Sequence, residues 1–154
     1  MQVSEILKVK GATLFTVAPD MTVSDCVITM ADNDIGSLVV MDRGKLAGIV
    51  TFREILRVLA RRQKEQRSGP TPTMSEIVVR DVMNPEPIVA TPQMEVNELR
   101  RIMVETRQRY LPVMEGETLL GVISFHDVAR AVLEEQSFEN RMLKAYIRDW
   151  PSEG

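Results

Sequence analysis

Leu46-Ala47-Gly48-Ile49-Val50-Thr51-Phe52-Arg53-Glu54 returns 73 positions later as Leu119-Leu120-Gly121-Val122-Ile123-Ser124-Phe125-His126-Asp127. Each stretch reads as an apolar strand that ends on a hydroxyl and runs into a helix, with a carboxylate three residues further on. Moving outward, the same shift of 73 holds without a gap. Leu38, Val40 and Met41 return as Leu111, Val113 and Met114, and Pro19, Met21 and Val23 as Pro92, Met94 and Val96. A match that lands polar residues on polar residues marks a duplicated structural unit. Two such units imply a shared core, a pseudo-twofold interface and two related clefts, where ligands commonly sit.

Composition narrows the class. A chain of 154 residues with 44% hydrophobic and 27% charged side chains suits one globular domain, or two small repeats around one core. The formal charge of −3 argues against nucleic-acid affinity, which needs a basic face to displace counterions. Arg57, Arg61, Arg62, Lys64 and Arg67 form a local basic stretch, read as a solvated helix end where cations favour the dipole. Cys26 is the single cysteine, so no internal disulfide can form and a reducing, cytoplasmic location is expected. The opening residues lack a signal-peptide pattern, and no apolar run approaches the roughly 20 residues a membrane span requires.

The first copy, residues 3–65, predicts a short helical turn over 3–7 and a strand over 15–17. A helix follows with Val23, Val27, Met30 and Ala31 inward, then strands at 37–41 and 46–50, and a helix from Phe52 with Ile55, Leu56 and Leu59 inward. The second copy, 74–135, repeats this at 79–83, 88–90, 96–105, 110–114, 119–123 and 125–133. Residues 66–73, polar and proline-containing, read as a linker. One spacing differs: seven residues separate Leu7 from Phe15, but four separate Met83 from Ile88. The extra residues around Gly11 predict a longer loop beside one cleft. A trailing helix is expected over 137–149, with Phe138, Met142, Tyr146 and Ile147 on one stripe, Trp150 beyond it and Pro151 as its stop. Such a stripe packs against its own domain or against a twin subunit.

Thr51 with Glu54 and Ser124 with Asp127 have the spacing of capping boxes, which satisfy orphan N–H groups at a helix start. The same groups suit a nucleotide: the helix terminus favours phosphate, and the carboxylate can accept hydrogen bonds from a ribose diol. The repeat, the openings Val3-Ser4-Glu5-Ile6-Leu7 and Val79-Arg80-Asp81-Val82-Met83, Arg109-Tyr110-Leu111-Pro112-Val113 and the paired box together resemble tandem cystathionine-β-synthase (CBS) domains over residues 3–135. That resemblance implies an α/β fold of two pseudo-twofold β-α-β-β-α repeats packed sheet to sheet, here followed by a C-terminal helix. It also implies adenine-nucleotide binding in the clefts. Transferred by position, one cleft joins Ser124, His126 and Asp127 to Phe15, Ile35, Gly36 and Ser37. The other joins Thr51, Arg53 and Glu54 to Ile88, Gln108, Arg109 and Tyr110. Glu54 departs from the family's usual Asp by one methylene.

Catalysis has little support. His126 is the only histidine, with no nucleophile–base–orienter set beside it and no second metal-ligand histidine, and no phosphate-binding glycine motif occurs. The expectation is a non-enzymatic regulatory module that binds AMP, ATP or NAD, senses energy or redox state, forms a homodimer and modulates a partner protein. The alternative is a ligand-free dimeric scaffold whose clefts are closed by Phe15 and Tyr110.

Overall fold

Both hairpins form where the repeat predicts them, and their irregularities repeat as well. The computed structural model describes residues 1–11, 14–66, 69–70 and 73–148. In the first copy β2 (Ser37–Asp42) pairs antiparallel with β3 (Lys45–Thr51), and β1 (Thr16–Val17) adds in parallel on the outer side of β2. In the second, β4 (Tyr110–Glu115) pairs with β5 (Thr118–Ser124). A register shift falls between Val40 and Met41 in one hairpin and between Val113 and Met114, the same place, in the other. The stretch 88–90, expected as a strand, is reduced to one parallel bridge between Ala90 and Val113.

The helices are α1 (Val3–Lys10), α2 (Val23–Asn33), α3 (Phe52–Gln66), α4 (Val96–Thr106) and α5 (Phe125–Arg148). Thr22 caps α2 by accepting from the Asp25 N–H at 3.1 Å. α2 and α4 end on equivalent left-handed residues, Asp34 (φ 51°) and Arg107 (φ 58°). The buried line of α2 is Val23, Cys26 and Met30 rather than one including Ala31, which is exposed. On α3 the inward residues are Glu54 and Val58, with Ile55 partly buried; Leu56 and Leu59 are 67% and 44% exposed. Glu54 and Val58, four positions apart, share the inward face, and Leu56 and Leu59 lie with exposed Phe52 on the outer face.

Residues 137–148 are helical as the unbroken continuation of α5, since no glycine or proline interrupts the run after Phe125. Residue 149, Trp150 and Pro151, together with Arg67 and part of the linker, lie outside the described residues. Among the described residues no helix is long and apolar enough to cross a membrane.

The cores show a feature that the linear repeat conceals. Val17, Cys26, Met30, Leu38, Val40 and Val50 of the first copy enclose Val79, which opens the second. Ala90, Val96, Leu99, Met103, Leu111, Val113 and Ile123 of the second copy enclose Val3 and Ile6, which open the first. Each opening segment has therefore crossed to the other body. The backbone bonds of the exchange are themselves duplicated. The Val3 and Ser4 N–H groups donate to the Met94 and Pro92 carbonyls, and those of Val79 and Arg80 donate to Met21 and Pro19. Burying one valine or isoleucine contributes roughly 1.5–3 kcal/mol, so the exchange ties the halves together strongly. It also explains the repeated glycine: Gly48 faces the Asn84 carbonyl and Met83 Sδ, and Gly121 faces Leu7, in each case the crossed segment.

Candidate functional site

The second strand-to-helix junction closes as a reciprocal capping box, and the first as a variant in which the hydroxyl caps one residue earlier. The Ser124 N–H donates to Asp127 Oδ2 at 2.9 Å, and the Asp127 N–H donates to Ser124 Oγ at 3.0 Å. In the first copy Glu54 Oε1 accepts from both the Thr51 N–H (2.8 Å) and the Thr51 hydroxyl (2.7 Å), while Thr51 Oγ1 accepts from the Arg53 N–H at 3.2 Å. The extra methylene of Glu54 thus folds its carboxylate back onto Thr51, and Glu54 is buried. Arg53 Nη2 donates to the Arg107 carbonyl at 2.6 Å, so its guanidinium serves the C-terminal end of α4. Ile88 packs against the second core and Gln108 is half-buried.

The other junction opens onto a cleft of about 960 Å³ between the copies. Phe15, Ile35, Gly36 and Ser37 form one side, and Ser124, Phe125 and His126 at the start of α5 form the other. Arg109 and Tyr110, assigned by sequence to the second cleft, line this one. Tyr110 crosses toward the first copy, placing its ring edge-on to Phe52 with centroids 6.5 Å apart. Its hydroxyl occupies the space that a side chain at position 36 would need, so Gly36 is the residue that admits Tyr110 there. Burial raises the Tyr110 phenol above its ordinary pKa, against the lowering effect of neighbouring Arg109.

Asp127 lies behind the cleft wall, in a smaller cavity of about 390 Å³ between α1 and α5. Its Oδ2 accepts from Lys10 Nζ at 2.8 Å as well as from Ser124, and Lys10 Nζ also donates to the Val122 carbonyl at 2.7 Å. Burial alone would raise the Asp127 carboxyl; the bonds from Lys10 and Ser124 outweigh it and hold the pKa below its usual value.

Lys10, Leu14, Asn33 and Asp34 also line the larger cleft and were not picked out by sequence reasoning. The signal for the first two was the spacing difference between the copies. The extra residues were expected as a loop; instead α1 extends to Lys10 and stops at Gly11, whose φ of 92° suits glycine. The cleft therefore combines apolar walls, two cations in Lys10 and Arg109, and the amino end of a long helix. Such a lining suits a flat apolar ring with an anionic tail.

The CBS domain profile matches this chain twice, over residues 3–61 and 79–134. The mitochondrial CBS domain-containing protein CBSX3 of Arabidopsis thaliana is 32% identical over 155 aligned positions, covering 95% of this chain and 71% of that protein. A CBS-domain containing protein from Agrobacterium tumefaciens has a TM-score of 0.74 at 29% identity, over 85% of this chain and 98% of its own. The structure of CBSX2 in complex with AMP shares the fold with a TM-score of 0.70 at 24% identity, over 88% and 98% of the two chains.

Proposed function

The chain belongs to the CBS-domain family, and from that premise we propose that it is a regulatory module that binds an adenine nucleotide of the AMP, ATP or NAD type and modulates a partner protein. The observation that carries this reading is the 960 Å³ cleft with Lys10 and Arg109 on its wall and the amino end of α5 at its side. The base lies against Phe15 and Ile35 and the phosphate against Ser124, His126 and Arg109, while the Asp127 carboxylate, behind the cleft wall, holds Ser124 and Lys10 in place. AMP-bound CBSX2 supports the reading only to the extent that this fold holds an adenosine nucleotide. We assign the ligand to this cleft because it is open, with Arg109 and the amino end of α5 on its wall, whereas at the other junction Glu54 is folded onto Thr51 and Arg53 onto the Arg107 carbonyl. No catalytic role is assigned to His126.

Removing the Asp127 carboxylate releases Ser124 and Lys10, whose hydrogen bonds to this charged group are worth roughly 1.5–3 kcal/mol, and should weaken binding by on the order of tenfold. Calorimetric titration of AMP, ATP and NAD into the protein and into Asp127→Ala tests this, with thermal melts to check the cap. Unaltered affinity for every nucleotide in a folded variant refutes the assignment.

The scaffold reading draws on a separate observation. Phe52 (60%), Leu56 (67%) and Leu59 (44%) on α3 are exposed, as is the stripe of Phe138, Met142, Leu143, Tyr146 and Ile147 on α5. The stripe does not bury itself on its own domain, which favours a homodimer through these helices. Light scattering across a concentration series checks the dimer. A panel in which no nucleotide shifts the melting midpoint would leave the scaffold reading in place of the sensor.

A further inference from the structure

The copies differ in spacing at one place, and that difference delivers a lysine to the proposed nucleotide cleft. In the first copy the Ile49 carbonyl, at the edge of β3, accepts from the backbone N–H of Asn84 at 2.9 Å. Its counterpart 73 positions on, the Val122 carbonyl, accepts instead from Lys10 Nζ at 2.7 Å. The extra residues after Leu7 continue α1 as a helix, so a long side chain replaces the chain segment that covers the equivalent carbonyl. Lys10 and Leu14 from this insertion both line the 960 Å³ cleft.

The same ammonium reaches Asp127 Oδ2, which also takes the Ser124 N–H. Among the described residues, two of the three N–H donors of Lys10 are thereby used. The pair is partly shielded from water, with side-chain exposures of 35% for Lys10 and 17% for Asp127. Without Lys10, the Asp127 carboxylate would stand uncompensated beside any bound phosphate and repel it. With Lys10, the carboxylate is neutralised and held back, and Arg109 and the amino end of α5 face a bound anion against the single cleft-lining carboxylate of Asp34.

We propose that Lys10 is a selectivity-determining residue of this cleft, favouring a phosphorylated nucleoside over the uncharged nucleoside. This rests on the nucleotide-binding reading above. The test is the affinity of the full chain for AMP and for adenosine, measured by calorimetry on the wild type, Lys10→Met, Lys10→Gln and Lys10→Arg. Methionine and glutamine should each weaken AMP about fivefold to tenfold, the loss of one partly screened charge, and weaken adenosine by less than about twofold. Arginine should keep the preference, and added salt should narrow it in the wild type more than in Lys10→Gln. If AMP and adenosine weaken equally, or neither changes, in a variant with a wild-type melting profile, Lys10 is only structural and the proposal is overturned. A wild type that binds neither compound overturns the nucleotide reading itself, and this inference with it. Glutamine keeps a donor for Val122, so it carries the test if methionine unfolds the protein.

Discussion

Gly48 and Gly121 hold the same place in the two copies, yet alanine at the two positions should have unequal effects. A Cβ at Gly48 would lie 2.5 Å from the Asn84 carbonyl oxygen and 2.9 Å from Met83 Sδ. That oxygen is main chain, fixed by the paired bonds between Ile49 and Asn84 at 3.0 and 2.9 Å. The new methyl must therefore push the crossed segment off the strand. Overpacking of this kind costs about 1–3 kcal/mol, and a weakened backbone bond adds about 1 kcal/mol. Reduced freedom of the unfolded chain returns about 0.4–1 kcal/mol, leaving a net loss of about 1–3 kcal/mol. At Gly121 the Cβ meets only Leu7 Cδ2 at 3.0 Å, the end of a half-buried side chain that can rotate away. The entropic gain then roughly cancels the contact, and the change should stay within about 0.5 kcal/mol. Neither glycine has a positive φ, so backbone strain does not enter the comparison. For a chain of this size about 1 kcal/mol corresponds to about 2–4 °C. Gly48→Ala should lower Tm by about 2–12 °C and Gly121→Ala by less than about 2 °C, measured by calorimetry on both variants. Equal shifts, or a larger one at Gly121, would refute the claim that the crossed segment's backbone is what the first glycine accommodates.

The Asp127 carboxyl has a depressed pKa in the folded protein, so its stabilising contribution is full above the unfolded carboxyl value and is lost as pH falls through the lower folded value. Asp127→Asn should therefore lower the unfolding free energy measured in urea at neutral pH by about 1 kcal/mol for a pair this exposed. The gap from wild type should close as the pH drops below about 4, near the ordinary carboxyl value; a gap that persists unchanged in acid would show that the charge is not what stabilises. Cys26 is fully buried, and burial, with a smaller contribution from Asp25, pushes its thiol up to about 11. Disulfide reagents at neutral pH should label it at the rate of protein opening, so the labelling rate should rise with denaturant; rapid labelling of the native protein would contradict its placement.

The repeat, both hairpins, the capping boxes and the helix starts were legible because each depends on residues within a few positions of one another. Period-two runs, a hydroxyl with a carboxylate three residues later, and matched substitutions at a shift of 73 are all local. The residues of the larger cleft were partly legible too, through the family that the motifs resemble. Other features required the assembled chain. Val3 and Val79 sit in each other's half, a pairing of residues far apart in the chain that local patterns do not encode. Leu56 and Leu59 read as core because the apolar pattern of α3 contains two overlapping stripes, and packing in the assembled chain buried the one through Glu54 and Val58. Tyr110 reaches the first cleft because Gly36 leaves room for its ring, and Arg109 lines the same cleft beside it. The sequence by itself determined a duplicated α/β unit and the chemical groups at each strand-to-helix junction, since local spacing and composition suffice for both. Which junction faces an open, cationic cleft was decided by tertiary packing alone, because it depends on where Lys10 arrives from a helix 117 positions away in sequence from the carboxylate it holds.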